Sequence, residues 1–273
     1  MSTQFLKLPH GTIAYEDQGR GPLVLLAPSL GDIRQEYRFL APQLLNAGYR
    51  VVTLDLRGHG ESSAHWPDYE LASVGRDFLA VIRALDAGPA QIVATSFSAG
   101  AAVWAAAEAP ELIAGLALIG PFVRNTMPTW QTKLLFSPLF SGPWAVPAWM
   151  TYFKTLYPAA PPADFESYQQ RLRANLKEPG RMAAVRSMIT ASKQDSEARL
   201  GQVRAPVIVM MGAQDPDFKD PQAEAQLVAE RLNGEVLMIA AAGHYPHAEQ
   251  PAEAGAAILG FFERQHIPAA YDV

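Results

Sequence analysis

Three residues of the types needed for acyl transfer occur along this chain in the order serine, aspartate, histidine: Ser96, Asp215 and His244. Each follows a short apolar run that reads as a buried strand, Gln91–Ala94 before Ser96, Val207–Met211 before Asp215 and Glu235–Ile239 before His244. In a parallel sheet the carboxyl ends of the strands lie on one edge, so the three side chains would meet there. A histidine that takes the serine proton turns the hydroxyl into a nucleophile. An aspartate behind the ring fixes its tautomer and stabilises its cation.

The setting of Ser96 is more informative than its type. The run Gln91-Ile-Val-Ala-Thr-Ser-Phe-Ser-Ala-Gly100 passes from an apolar strand into an alanine-rich helix, with Ala94 and Ser98 two residues either side of the serine. A serine at a sharp strand-to-helix turn has its hydroxyl pushed out of the sheet, and the neighbouring chain can approach only if those flanking side chains are small. Ser98 is the competing register, since Ser96 and Gly100 satisfy the same spacing around it; it would require the strand to run two residues further. Serines also cluster in turns for hydrogen bonding alone. Neither glycine of a Gly-x-Ser-x-Gly motif is present around Ser96.

With Asp55-Leu-Arg-Gly-His-Gly-Glu-Ser62 after the strand Val51–Leu54, Pro110 at the end of the elbow helix and Gly243-His-Tyr-Pro-His-Ala-Glu249, the chain resembles the α/β-hydrolase superfamily through most of its length. The resemblance implies an α/β fold with a mostly parallel central sheet, helices on both faces, and an inserted, mainly helical cap. It implies Ser96 as nucleophile, His244 as general base and Asp215 as the acid. Asp217 competes with Asp215, and either aspartate is also suited to a turn. Aspartate-nucleophile relatives, the haloalkane dehalogenases and epoxide hydrolases, are disfavoured because the elbow presents serine.

Metal chemistry fits the same residues poorly. Asp215, Asp217 and Asp220 suggest a calcium loop, but Lys219 stands at its fifth position and its sixth is not glycine. Pro246 between His244 and His247 keeps a regular helix from aligning those rings with Glu249. Arg57 and His59 read as scaffold of a tight glycine turn, and His10, His65 and His266 as surface residues. No cofactor and no metal are implied.

An alkoxide forming at the scissile carbonyl needs backbone N–H donors. Phe97, after the nucleophile, supplies one. The second belongs to the loop after the strand Leu23–Ala27, where relatives commonly carry His-Gly and this chain has Ala27-Pro28-Ser29-Leu30-Gly31-Asp32. Pro28 has no N–H to give, so Ser29 is the expected donor, and its hydroxyl is a candidate second contact.

The elements that must position these groups follow from the apolar pattern. Phe5–Leu8 and Thr12–Glu16 read as an opening hairpin. Tyr37–Ala47 and Leu71–Ala87 read as helices closed by Gly48 and Gly88. Strand and helix alternate through Gln91–Ala94, Phe97–Ala109 and Leu116–Ile119, and resume from Val203 with helices Gln222–Leu232 and Ala252–Arg264. The alternation stops between Pro121 and Leu200, where tryptophans and tyrosines are interspersed with prolines ahead of the helical-looking Asp164–Lys177 and Arg181–Lys193. The division is therefore a core of residues 1–120 and 201–273 with a cap at 121–200. Most aromatics of that stretch suit the cap's own small core. Leu30, Trp130, Trp144, Trp149, Phe153 and Tyr245 are the candidates to line an apolar pocket over the strand ends.

Composition narrows the function classes. The chain has 273 residues, 49% apolar and 18% charged, enough for a large core. A formal net charge of −5 with no basic run offers nothing to nucleic acid or to an anionic membrane, and neither partner is expected. Without cysteine there is neither a disulfide nor a thiol nucleophile. The first residues lack the basic start and apolar stretch of a secretory signal, and a cytoplasmic protein is expected. The expected activity is hydrolysis of a small to medium apolar carboxylic ester through an acyl-enzyme. The alternatives are carbon–carbon bond hydrolysis or cyanohydrin cleavage on the same triad, and a slow-turnover ligand receptor of the same fold.

Overall fold

A computed structural model describes residues 2–125 and 129–265; the surface expectation for His266 lies outside them. Eight strands form one sheet: β1 (Gln4–Leu8), β2 (Gly11–Gln18), β3 (Leu23–Ala27), β4 (Arg50–Leu54), β5 (Ala90–Thr95), β6 (Ile113–Ile119), β7 (Val207–Gly212) and β8 (Glu235–Ile239). Their order across the sheet is β1-β2-β4-β3-β5-β6-β7-β8. The opening hairpin is antiparallel and β2 meets β4 antiparallel; every pair from β4 to β8 is parallel. The central strands read as unbroken apolar runs because both faces are covered.

Alternate side chains of a strand point to opposite faces, which sorts β3 into Leu23, Leu25 and Ala27 on one side and Val24 and Leu26 on the other. The first face packs on α2 (Leu71–Leu85), α3 (Phe97–Glu108) and, further along the sheet, α9 (Pro221–Leu232). The second packs on α1 (Leu40–Asn46) and α11 (Pro251–Arg264), whose Leu44, Ile258 and Phe262 are buried. Alanine dominates α3, and small side chains let it lie close beneath the strand ends.

Among the boundaries that differ from the sequence expectation, two lie on the face-covering helices. The segment from Tyr37 divides into a 3-10 turn, Arg34–Tyr37, and then α1. Helix α2 ends at Leu85, with Asp86 rather than Gly88 taking the first left-handed position, at φ 46°. Asp is one of the few non-glycine residues that tolerates it.

Between β6 and β7 lie α4 (Thr129–Leu139), α5 (Ala145–Thr155), α6 (Phe165–Leu176), α7 (Arg181–Thr190) and the single turn α8 (Gln194–Glu197). Helices α5, α6 and α7 share a separate core, with Phe136 of α4 packed against it, in which Trp149, Phe153, Tyr168 and Leu172 meet Ile33 and Tyr245 from the main body; α8 lies instead against α2 and α3. The last short helix, α10 (Pro246–Glu249), follows β8 directly. Among the described residues no helix is long and apolar enough to cross a membrane.

Candidate active site

The strand-to-helix corner after β5 falls on Ser96. Its backbone sits at φ 60°, ψ −121°, a conformation that an L-residue holds only at a cost of about 1–3 kcal/mol. The corner is clamped by the Ser96 N–H donating to Ile119 O at 2.8 Å and by the Phe122 N–H donating to Ser96 O at 3.1 Å. Ser98 lies inside α3, fully buried, with its hydroxyl donating to Pro28 O. It therefore ties the elbow helix to the loop after β3 and does not face the cavity.

His244 follows β8 and Asp215 follows β7. Their contact is Nδ1 to Oδ2 at 2.7 Å, with both side chains buried. Asp217 stands further off, at 3.8 Å from the same nitrogen. It donates its own N–H to Asp215 Oδ1 at 3.0 Å, and its carboxylate accepts from the Tyr152 hydroxyl at 2.7 Å. Burial pulls the imidazole pKa down, but the charge and hydrogen bond of Asp215, reinforced by Asp217 and Glu36, outweigh it and raise it to about 9. Burial raises the Asp217 carboxyl.

Gly120, at the end of β6, is a site residue that sequence reasoning missed. A Cβ there would come within 3.0 Å of the His244 ring and 3.3 Å of Asp215 Oδ2, and φ is +50°. Glycine alone lets the strand end pass beneath the imidazole.

The loop after β3 departs from expectation. The Ser29 N–H is not available to an oxyanion, because it donates to Oε2 of the buried Glu36 at 2.7 Å. The Ser29 hydroxyl is engaged with the Tyr245 hydroxyl at 2.7 Å. The N–H of Leu30, one residue on, has no acceptor among the described residues, and neither has that of Phe97 at the first turn of α3. Leu30, Phe97 and Ser96 line the same cavity, which makes Leu30 rather than Ser29 the second candidate donor. His59 supports the loop from below: its Nε2 accepts the Gly31 N–H at 2.9 Å while its Nδ1–H donates to Arg57 O at 3.0 Å. Arg57 itself is paired with Asp77 at 2.7 Å, in keeping with a scaffold role. His10 and His65 are exposed.

The cavity encloses about 280 Å³ and brings together Ser96, His244, Leu30, Trp149 and Tyr245. Three expected pocket residues are elsewhere. Trp130 and Trp144 are 64% and 57% exposed on the outside of the helical segment, where the Trp144 indole donates to Pro138 O at 3.2 Å. Phe153 is fully buried among Tyr157, Phe165, Tyr168 and Tyr245, filling the core of the segment instead of its underside. The wall is made by Phe122, Phe136, Phe140, Tyr152 and Ile189, with Arg124, Asn125 and Lys193 supplying polar groups. Only Phe136 of these lies in α4, where Pro138 and a weak apolar period hid it; Phe122 and Phe140 are in connecting segments, Tyr152 in α5 and Ile189 in α7.

Asp215, Asp217 and His244 place possible ligand atoms within 4.8 Å of one another. The donor set fits a hydrogen-bonded relay better than a metal. The ring nitrogen nearest the carboxylates is already bonded to Asp215, and the Asp217 carboxylate accepts the one proton of the Tyr152 hydroxyl.

Sequence comparison agrees with this architecture. The α/β-hydrolase fold family model matches residues 22–251, and the chain belongs to that family. A putative non-heme bromoperoxidase, BpoC, from Mycobacterium tuberculosis is 27% identical over 92% of this chain and 97% of its own length. The 2-(acetamidomethylene)succinate hydrolase of Mesorhizobium japonicum is 26% identical over 92% of each chain. Among solved structures, a hydrolase from Pseudomonas aeruginosa PA01 superposes with a TM-score of 0.82 at 25% identity, covering 95% of this chain and 98% of that one.

Proposed function

We propose that this chain is a serine hydrolase that cleaves small carboxylic esters through an acyl-enzyme on Ser96, with residues 121–200 acting as a cap over the site. One observation carries the reading. Ser96, at the strained corner, opens into the same cavity as His244, whose far nitrogen is held by Asp215 at 2.7 Å.

In this mechanism Asp215 accepts the Nδ1–H of His244, leaving Nε2 unprotonated to take the Ser96 proton as the hydroxyl oxygen attacks the carbonyl carbon. The oxyanion is met by the N–H groups of Phe97 and Leu30. His244 then gives its proton to the leaving alcohol and activates a water, whose attack releases the acid and regenerates Ser96. A cavity of about 280 Å³ with mainly aromatic and aliphatic walls suits a short to medium acyl or aryl ester.

A fluorophosphonate probe tests the assignment. Labelling should map to Ser96, and Ser96→Ala should lose the label and at least about 10³-fold of esterase turnover, the rest being what binding and oxyanion donors sustain alone. An adduct on Ser98, or undiminished turnover in the variant, refutes it.

A further inference from the structure

The helical segment brings one cation into the cavity wall without a carboxylate. Lys193, between α7 and α8, lines the cavity and lies 5.8 Å over the ring of Phe97, the residue next to Ser96. Its ammonium donates to Ile189 O at 3.1 Å and to Ala191 O at 2.9 Å, which uses two of its three protons. No carboxylate among the described residues is within ion-pair distance of it; Glu70 acts on it only through space. The other cation of the wall, Arg124, is already committed to Glu224, with Nε to Oε1 at 2.9 Å and a second contact to Oε2.

Desolvation of the ammonium pulls its pKa down to about 8, so at neutral pH it is still mostly charged. Beside it, Asn125 accepts the Lys193 backbone N–H on Oδ1 at 3.1 Å, and its amide NH₂ has no acceptor among the described residues. The carboxylate in the wall, Asp217, is engaged by Tyr152 on the His244 side. The cavity thus has a serine hydroxyl, an apolar middle and a positive group with no ion-pair contact and a spare donor.

We propose that Lys193 and the Asn125 amide form a carboxylate-binding subsite, and that the substrate is a short ester bearing a second, free carboxylate. This rests on the hydrolase reading above for its chemistry, but not for its binding. A carboxylate reaching the ammonium would take its third proton as a charge-assisted hydrogen bond and supply the missing countercharge.

The test compares substrates that differ only in that charge. Turnover at pH 7 is followed by pH-stat for mono-ethyl glutarate against ethyl pentanoate, and for 4-acetoxybutanoate against butyl acetate. The wild type should favour the charged member of at least one pair by tenfold or more in kcat/KM. Lys193→Met should lower that ratio at least tenfold, and Lys193→Arg should retain part of it, with melting curves verifying that both variants fold. Lys193 capping the end of α7 and nothing more would change melting temperature and leave the ratio alone. A ratio near one in both pairs, or one unaltered by Lys193→Met, overturns the proposal. If no ester is turned over, the hydrolase reading fails, and the subsite is judged by glutarate binding instead. Glutarate should raise the melting temperature of the wild type and not that of Lys193→Met; an equal shift, or none, overturns it.

Discussion

The N–H of Ser29 donates to Oε2 of Glu36 at 2.7 Å, and this bond leaves Leu30 as the candidate donor of the loop after β3. Glu36 is 1% exposed, and its other oxygen lies 3.2 Å from Nε2 of the equally buried His247. Glu36→Ala strands a buried donor, for an expected loss of about 1–3 kcal/mol in urea unfolding. The loop should then shift Leu30, and kcat on a model ester should fall at least about tenfold, part of what a lost oxyanion donor costs. Glu36→Gln keeps an acceptor and should lose less on both counts. Unchanged kcat in Glu36→Ala would show that the loop holds Leu30 without this carboxylate.

The base should titrate well above a free histidine. On the proposed mechanism only neutral His244 accepts the Ser96 proton, so kcat/KM should rise with pH toward a plateau, with its midpoint displaced from about 6.5 toward about 9. Stability runs the other way. A histidine with a raised folded pKa contributes most below about 6.5, and that contribution is lost as pH rises through about 9. Asp215→Asn should move the activity midpoint down and cut kcat by several orders of magnitude, whereas Asp217→Asn should change kcat little. A midpoint at 6.5 in the wild type would contradict the strong Asp215 interaction.

A second histidine should register acid. Burial lowers the pKa of His59 to about 4, while Arg57 O, accepting its Nδ1–H, raises it only partly. Its lowered folded pKa leaves stability intact above about 6.5, and stability is lost as pH falls through about 4. The difference amounts to about 3 kcal/mol over the window. His59→Gln keeps a group able to accept the Gly31 N–H and has no titration, so its urea midpoint should vary less between pH 7 and pH 4.5. Parallel curves for the two proteins would remove His59 as the source.

Chain-length selectivity should follow cavity size. Across p-nitrophenyl esters from acetate to palmitate, kcat/KM should peak at short to medium acyl groups, each accommodated methylene adding up to about 0.8 kcal/mol until the space is filled. Trp149→Phe opens the wall and should shift the peak to longer chains. Trp130→Ala, on the exposed outside, should leave the profile as it is. A maximum at palmitate in the wild type would mean that the helices over the site lift away from it.

The α/β alternation was legible because doubly covered strands must be apolar throughout, and helices between them need a 3.6-residue stripe. Ser96 was legible because a sharp corner demands small neighbours, which Ala94 and Ser98 are. Two kinds of feature escaped. Helices α4 and α5 contain Pro138 and Pro147 among aromatics with no clear period, so neither their existence nor their inward face could be read. The choice of Leu30 over Ser29 depends on Glu36, seven residues away, whose neighbours Arg34, Gln35 and Arg38 disguise a buried carboxylate as part of a solvated face. Gly120 likewise has meaning only once β6 is beside β7 and the His244 ring is above it.

The corner at Ser96 also says something about descent. Its φ and ψ suit glycine, so the most stable version of this fold is one that lacks the hydroxyl. A lineage that stopped using the reaction would be expected to drift to glycine there and gain thermal stability as it did so. On the proposed mechanism the hydroxyl is what the reaction needs at a corner whose backbone would otherwise favour glycine.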